Sequence, residues 1–149
     1  MKKRNVPYIA VSWILVALCM AVIFYLSARS GDESAAQSGS VLRLFDLMPQ
    51  LENLVRKCAH ALEYMGLAML MFNALYATFG AVKPILSFGL TVAYAATDEF
   101  HQLFVEGRAG RFSDILIDGI GAAAGVITAL LILTVILKIK GRKESDKRN

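Results

Sequence analysis

The 149-residue chain has two cysteines, three prolines, two histidines and one tryptophan. Cys19 and Cys58 fall in separate apolar runs, so a disulfide scaffold is excluded, and both read as small apolar packing residues. Charge is scarce as well, at 19% of residues against 56% hydrophobic, and the mean hydropathy is +0.53. That balance is more apolar than an ordinary soluble domain. No internal repeat or low-complexity segment is present. Six of the 16 Lys and Arg gather from Lys138 onward, without interleaved aromatics, which excludes a nucleic-acid interface.

What the chain does have is long apolar runs. A helix needs about 20 apolar residues, at about 1.5 Å each, to cross the hydrocarbon of a bilayer. Tyr8 to Leu26 reaches that length without a charge, Cys58 to Phe79 with only His60 and Glu63, and Ile115 to Leu137 with only Asp118. Ile85 to Thr97 is too short alone, so its helix must continue through Asp98-Glu99-Phe100-His101-Gln102 to finish crossing. The expected fold is all-α: an integral membrane four-helix transmembrane bundle, one domain over residues 1–137, with spans near 8–26, 58–79, 84–104 and 114–137. The first run follows Lys2-Lys3-Arg4 as a signal peptide would, but it exceeds a signal core of about 7–15 residues and reads as a retained anchor. Between the first two spans, Val41, Leu44, Phe45 and Met48 share one stripe, which predicts a short interfacial helix from Ser40 to Met48. Pro49 then suits the first position of the next helix. Residues 138–149 read as a mobile basic tail suited to anionic lipid.

An even number of spans puts both termini on one side, together with the turn at Lys83. Lys2, Lys3, Arg4 and the six Lys and Arg from Lys138 onward make that side the more basic, hence cytoplasmic, with N-in and C-in topology. The polar ends of the second, third and fourth spans then meet at the outer face.

Helical spacing sorts those polar residues into stripes. Arg56, His60 and Glu63 form one at the start of the second span, flanked by Lys57 and Tyr64. A charge held in hydrocarbon costs on the order of 3 kcal/mol, and Glu63 is too short and too deep to snorkel, so it needs a partner. Asp98, His101 and Gln102 form a second stripe, with Glu99 pointing elsewhere. Arg108 and Arg111 follow among glycines in a turn, able to grip a carboxylate or phosphate. Ser113 suits a helix N-cap. Asp114 and Asp118 lie on the face that continues through Gly121, Ala122 and Gly125, small residues that allow close helix approach. The GxxxG pattern at Gly121 and Gly125 reads as packing against a neighbour in the same chain.

In order and spacing, Arg56-Lys57-x-x-His60-x-x-Glu63-Tyr64, Asp98-Glu99-x-His101-Gln102-x-Phe104-Val105, Gly107-Arg108 and Asp114-x-x-x-Asp118-x-x-Gly121 resemble the VanZ-like family of bacterial membrane proteins, from about Ser27 to Gly125. The sequence departs from that pattern at Glu106, where Pro is common, and at Asp118, where Asn is common. The resemblance implies a multi-pass protein of the bacterial cytoplasmic membrane and an association with resistance to the glycopeptide teicoplanin. It supplies no reaction.

Three functional readings follow. In an enzyme, His60, Glu63, Asp98, Glu99, His101 and Asp114 would supply acid–base groups. Arg56, Lys57, Tyr64, Gln102, Arg108, Arg111 and Asp118 would bind a membrane lipid or lipid-linked cell-wall precursor. No cysteine belongs to the cluster and Ser113 has no evident base, so a covalent nucleophile is not indicated. His60, His101 and the carboxylates could also ligate a divalent metal. In a binding protein, the same cluster would hold an anionic headgroup or an acyl-bearing glycopeptide antibiotic. In a scaffold, paired charges would fix helix register. Nothing in the sequence sets the oligomeric state.

Overall fold

The computed structural model describes residues 5–29, 40, 52–108 and 111–146. Among them are four long helices and no strands: α1 (Val6–Ser27), α2 (Glu52–Phe79), α3 (Pro84–Gln102) and α4 (Phe112–Asp146). Beyond Ser40, the expected interfacial helix lies outside the described residues. Two helices, α1 and the Phe112–Lys143 part of α4, are long and apolar enough to cross a membrane.

Local chemistry sets the helix ends. Asn5 caps α1, its Oδ1 accepting from the Tyr8 amide at 3.3 Å, and a proline sits in the first turn. Gly80, at φ +66°, ends α2 in the left-handed region, and a proline opens α3. α3 runs unbroken through Asp98 to Gln102, well past the end of its apolar run. α4 starts at Phe112, so Ser113 lies inside the first turn rather than capping it, and its hydroxyl donates to Asp114 Oδ1 at 3.2 Å. Residues 138–146 of the expected tail continue α4 to Asp146, because Lys, Arg and Glu favour helix.

α2 is the central helix and packs against the other three, whereas the described parts of α1 and α4 do not touch. Val16 and Ile23 of α1 meet Tyr64, Leu67, Met71 and Leu75 of α2 and Ala95 of α3 in one core. Ala68 and Phe72 meet Ala122 and Val126 of α4 in a second. There the helices come to backbone contact: a Cβ added at Gly121 would overlap the Ala61 carbonyl, and one at Gly125 the Met65 carbonyl. The GxxxG pattern is thus used within the chain. Outward, α1 and α4 present apolar faces, including Ile14, Leu18, Val22, Leu131 and Val135. Cys19 is half-buried beside the first core, whereas Cys58 is exposed and packs nothing; both are free thiols.

Polar ties cross between helices where an unpaired group in an apolar setting would be costly. The Tyr94 hydroxyl of α3 donates to the Met20 carbonyl of α1 at 2.6 Å. Near the opposite end, Tyr8 donates to Asn73 Oδ1 at 2.7 Å and Trp13 Nε1 to Thr78 Oγ1 at 3.0 Å. Such bonds between membrane helices average about 0.6 kcal/mol. Tyr94→Phe is therefore expected to lower the melting midpoint in detergent by only a few degrees, as thermal unfolding would show; a fall above about 10 °C would mean the bond does more than tie two helices.

Candidate functional site

A cleft of about 390 Å³ opens where α2 begins, α3 ends and α4 begins. Its walls hold Arg56, Lys57, His60, Glu99, Gln102, Arg108, Arg111, Asp114 and Asp118, with Gly107 and Ile117. Four cations therefore face three carboxylates and an imidazole. The stripes expected on α2 and α4 and in the α3–α4 turn converge on one space.

Lys57 and Asp114 bridge α2 and α4 at the rim, Nζ to Oδ1 at 3.4 Å, both partly exposed. Such a pair is worth little in energy and is free to exchange for a ligand. Beneath it lies the floor. His60 turns Nδ1 toward Glu63 Oε2 at 3.9 Å and Asp118 Oδ1 at 4.0 Å, too far for hydrogen bonds. Asp118 is 1% exposed, and neither of its oxygens accepts a hydrogen bond. Among the described residues His60 Nδ1 is likewise without a hydrogen-bond partner. Buried polar atoms are nearly always bonded, so a group of them left open beside a cleft marks a place that ligand, water or proton binding completes. Tyr64 and Glu63 stand behind this floor rather than in the cleft lining.

Asp98 has a different position. It is 2% exposed and absent from the cleft wall. Its Oδ1 accepts from Ser27 Oγ of α1 at 2.5 Å and its Oδ2 from Gln102 Nε2 at 3.1 Å. Gln102 Oε1 accepts from Arg108 Nη1 at 3.3 Å. Arg108 also donates from Nε to the Arg29 carbonyl at 3.0 Å and from Nη2 to the Leu26 carbonyl at 3.3 Å. Those carbonyls belong to the last turn of α1 and just beyond it, where helix carbonyls lack intrahelical partners and a cation suits the macrodipole. Burial, and after it the neighbouring Arg56 guanidinium, hold Arg108 below the ordinary arginine pKa, yet it remains a cation. The arginine expected to grip a ligand is thus engaged with α1 while still lining the cleft. Glu99 is similarly committed: Oε2 accepts from the Arg111 amide at 3.0 Å, placing a carboxylate at the start of α4 where negative charge is favourable.

His101 faces away from this cleft. Its ring stacks on Phe24 of α1 with centroids 4.4 Å apart, and its buried Nε2 has no partner. A three-residue step places it on the Asp98 side of α3, which α1 covers. Among the described residues, no group of three His, Cys, Asp or Glu side chains is placed to hold a metal ion. Ser27 was not among the expected site residues. The signal for it lies in α1, whose buried face runs Ser12, Val16, Ile23 and Ser27 at helical spacing through an otherwise apolar helix. A serine ending that stripe needs an acceptor across the interface, and Asp98 is that acceptor.

The family model described as VanZ/LLP1 matches residues 12–134. No curated protein and no solved structure matches the chain. The chain belongs to the VanZ/LLP1 family and is a membrane protein.

Proposed function

We propose that this VanZ/LLP1 family member receives, in the cleft between α2, α3 and α4, the polar headgroup of a lipid or lipid-linked envelope component. In this reading all four helices cross the bacterial cytoplasmic membrane, both termini lie inside, and the cleft opens at the outer face. The basic segments at both chain ends support that orientation. The observation that carries the proposal is the mixed-sign cleft sitting directly above helices with apolar outer faces. An amphiphile could place its headgroup among the cleft charges while its acyl chains stay in the bilayer. An acyl-bearing glycopeptide such as teicoplanin offers the same two parts, which connects the site to the resistance associated with the family.

His60 is the group placed to exchange a proton with such a ligand. Its Nδ1 is aimed at Glu63 and Asp118, so the opposite ring nitrogen serves the cleft. A bound headgroup that drew the three side chains together by about 1 Å would complete the Nδ1–H···carboxylate bond.

The test compares lipid and cell-wall-precursor extracts by mass spectrometry from cells expressing the protein or His60→Gln at matched membrane abundance. Lipid co-purifying with each protein is measured in parallel. A species that changes only with the unaltered protein is the expected outcome and identifies the substrate. Unchanged extracts, with a lipid retained by the unaltered protein alone, would make the site a binder without turnover. Unchanged extracts with no retained lipid would refute the proposal.

A further inference from the structure

Resting on the reading of the cleft as a headgroup site, we propose that its preferred ligand is zwitterionic, a phosphate joined to a primary ammonium as in a phosphoethanolamine headgroup. The lining has both signs in one small volume. A purely anionic headgroup would be opposed by Glu99, Asp114 and Asp118, and a purely cationic one by Arg56, Lys57, Arg108 and Arg111. A ligand carrying both charges a few ångströms apart satisfies the two sets together.

The signs are also graded by depth. Arg111 is exposed and Lys57 is 43% exposed in its side chain, so two cations stand at the mouth against one carboxylate, Asp114, where a phosphate joined to its lipid must remain. The floor carries carboxyl groups that an entering cation would hold in their ionised form. His60 lines the cleft with two carboxylates behind it, Glu63 and Asp118, and Asp118 is buried without a hydrogen bond to either oxygen. A neutral imidazole that keeps its proton on Nδ1, facing the two carboxyl groups, leaves Nε2 as an acceptor for a cationic donor. A primary ammonium has three N–H groups and can donate to His60 and to Asp114 at once. A quaternary ammonium has none to donate, and a glycerol hydroxyl donates without the charge.

Isothermal titration of the detergent-solubilised full chain with dihexanoyl phosphatidylethanolamine, phosphatidylcholine and phosphatidylglycerol tests this. The ethanolamine lipid is expected to bind at least about tenfold more tightly than either of the others. Asp118→Asn keeps the shape and removes the ionisable carboxyl, and is expected to cut that preference to about twofold, by weakening the ethanolamine lipid and relieving the opposition to phosphatidylglycerol. Arg111→Gln is expected to weaken all three lipids by about the same factor, near threefold. Equal or tighter binding of phosphatidylglycerol to the unaltered protein would overturn the zwitterion assignment, and equal or tighter binding of phosphatidylcholine the primary-ammonium assignment, and either result leaves the headgroup site standing. Survival of the preference in Asp118→Asn would also overturn it. Failure of all three lipids to bind would instead remove the headgroup reading itself. The ranking in the unaltered protein decides the matter even where a variant does not accumulate.

Discussion

Asp98→Ala is expected to lower the melting midpoint in detergent by 10 °C or more and to reduce the protein recovered from membranes, although Asp98 does not line the cleft. The carboxylate is the shared acceptor of a chain that joins α1, α3 and the turn before α4: Ser27, Asp98, Gln102, Arg108 and the carbonyls of Leu26 and Arg29. Alanine leaves the Gln102 amide without a partner and strips a compensating negative charge from beside Arg108. A buried group left unpaired costs about 1–3 kcal/mol, and breaking a buried charged pair costs about 3–5 kcal/mol. In a chain of this size each kilocalorie moves the midpoint by about 2–4 °C. Asp98→Asn should behave differently. Its amide nitrogen can donate to Ser27 Oγ while the Ser27 hydroxyl donates to the Phe24 carbonyl, already 3.1 Å away, and its oxygen can keep the Gln102 bond. The Ser27 and Gln102 donors then each retain an acceptor, so Asn is expected to melt within a few degrees of the unaltered protein. Arg108→Lys should fall between the two, since an ammonium cannot reach Gln102 and both α1 carbonyls as the guanidinium does. Thermal unfolding of the three variants ranks them, and an Asp98→Ala protein as stable as Asp98→Asn would show that the chain of bonds does not hold α1 in place.

The contrast between Asp98 and Asp118 shows how far the sequence alone reaches. Spacing of three, four and seven residues places Arg56 with His60 and Glu63, Asp98 with Gln102, and Asp114 with Asp118, and the structure keeps each set on one helical face. Glycines at 121 and 125 also announce a close contact, because only a backbone without Cβ fits against Ala61 and Met65. Spacing cannot say how a helix is rotated against its neighbours. Asp98 and Asp118 look alike as single carboxylates in apolar runs. One accepts from Ser27 and Gln102, while the other stands 4.0 Å from His60 and, among the described residues, accepts no hydrogen bond. His101 and Gln102 are adjacent in sequence, yet one lies on Phe24 and the other in the cleft wall. Arg108 was legible as a cation seeking oxygens. That those oxygens include α1 carbonyls was not, since every helix ends in carbonyls and no side chain marks which ones an arginine will cap.

Gly121→Leu is expected to have the larger effect on the site, and to act through packing alone. Gly121 sits directly against the Ala61 carbonyl, with no flexible side chain at the contact to give way. Overpacking a core by a few methylenes usually costs about 1–3 kcal/mol when side chains can shift. Here only backbone lies opposite, so the helices must separate or slide. Gly121 is three residues from Asp118 on α4, and Ala61 is adjacent to His60 on α2, so the separation is greatest where the cleft floor is built. His60 and Asp118, already 4.0 Å apart, would move beyond reach of each other, and the Lys57–Asp114 bridge would open with them. Protein that still accumulates should therefore lose headgroup binding altogether. Gly66, which has nothing within 4 Å of an added Cβ, supplies the control on α2: Gly66→Ala should leave both melting and binding unchanged. Measuring midpoint and lipid retention for the two variants side by side separates the causes. A Gly121→Leu protein that binds lipid normally would mean that the close approach of α2 and α4 is not what holds the site together.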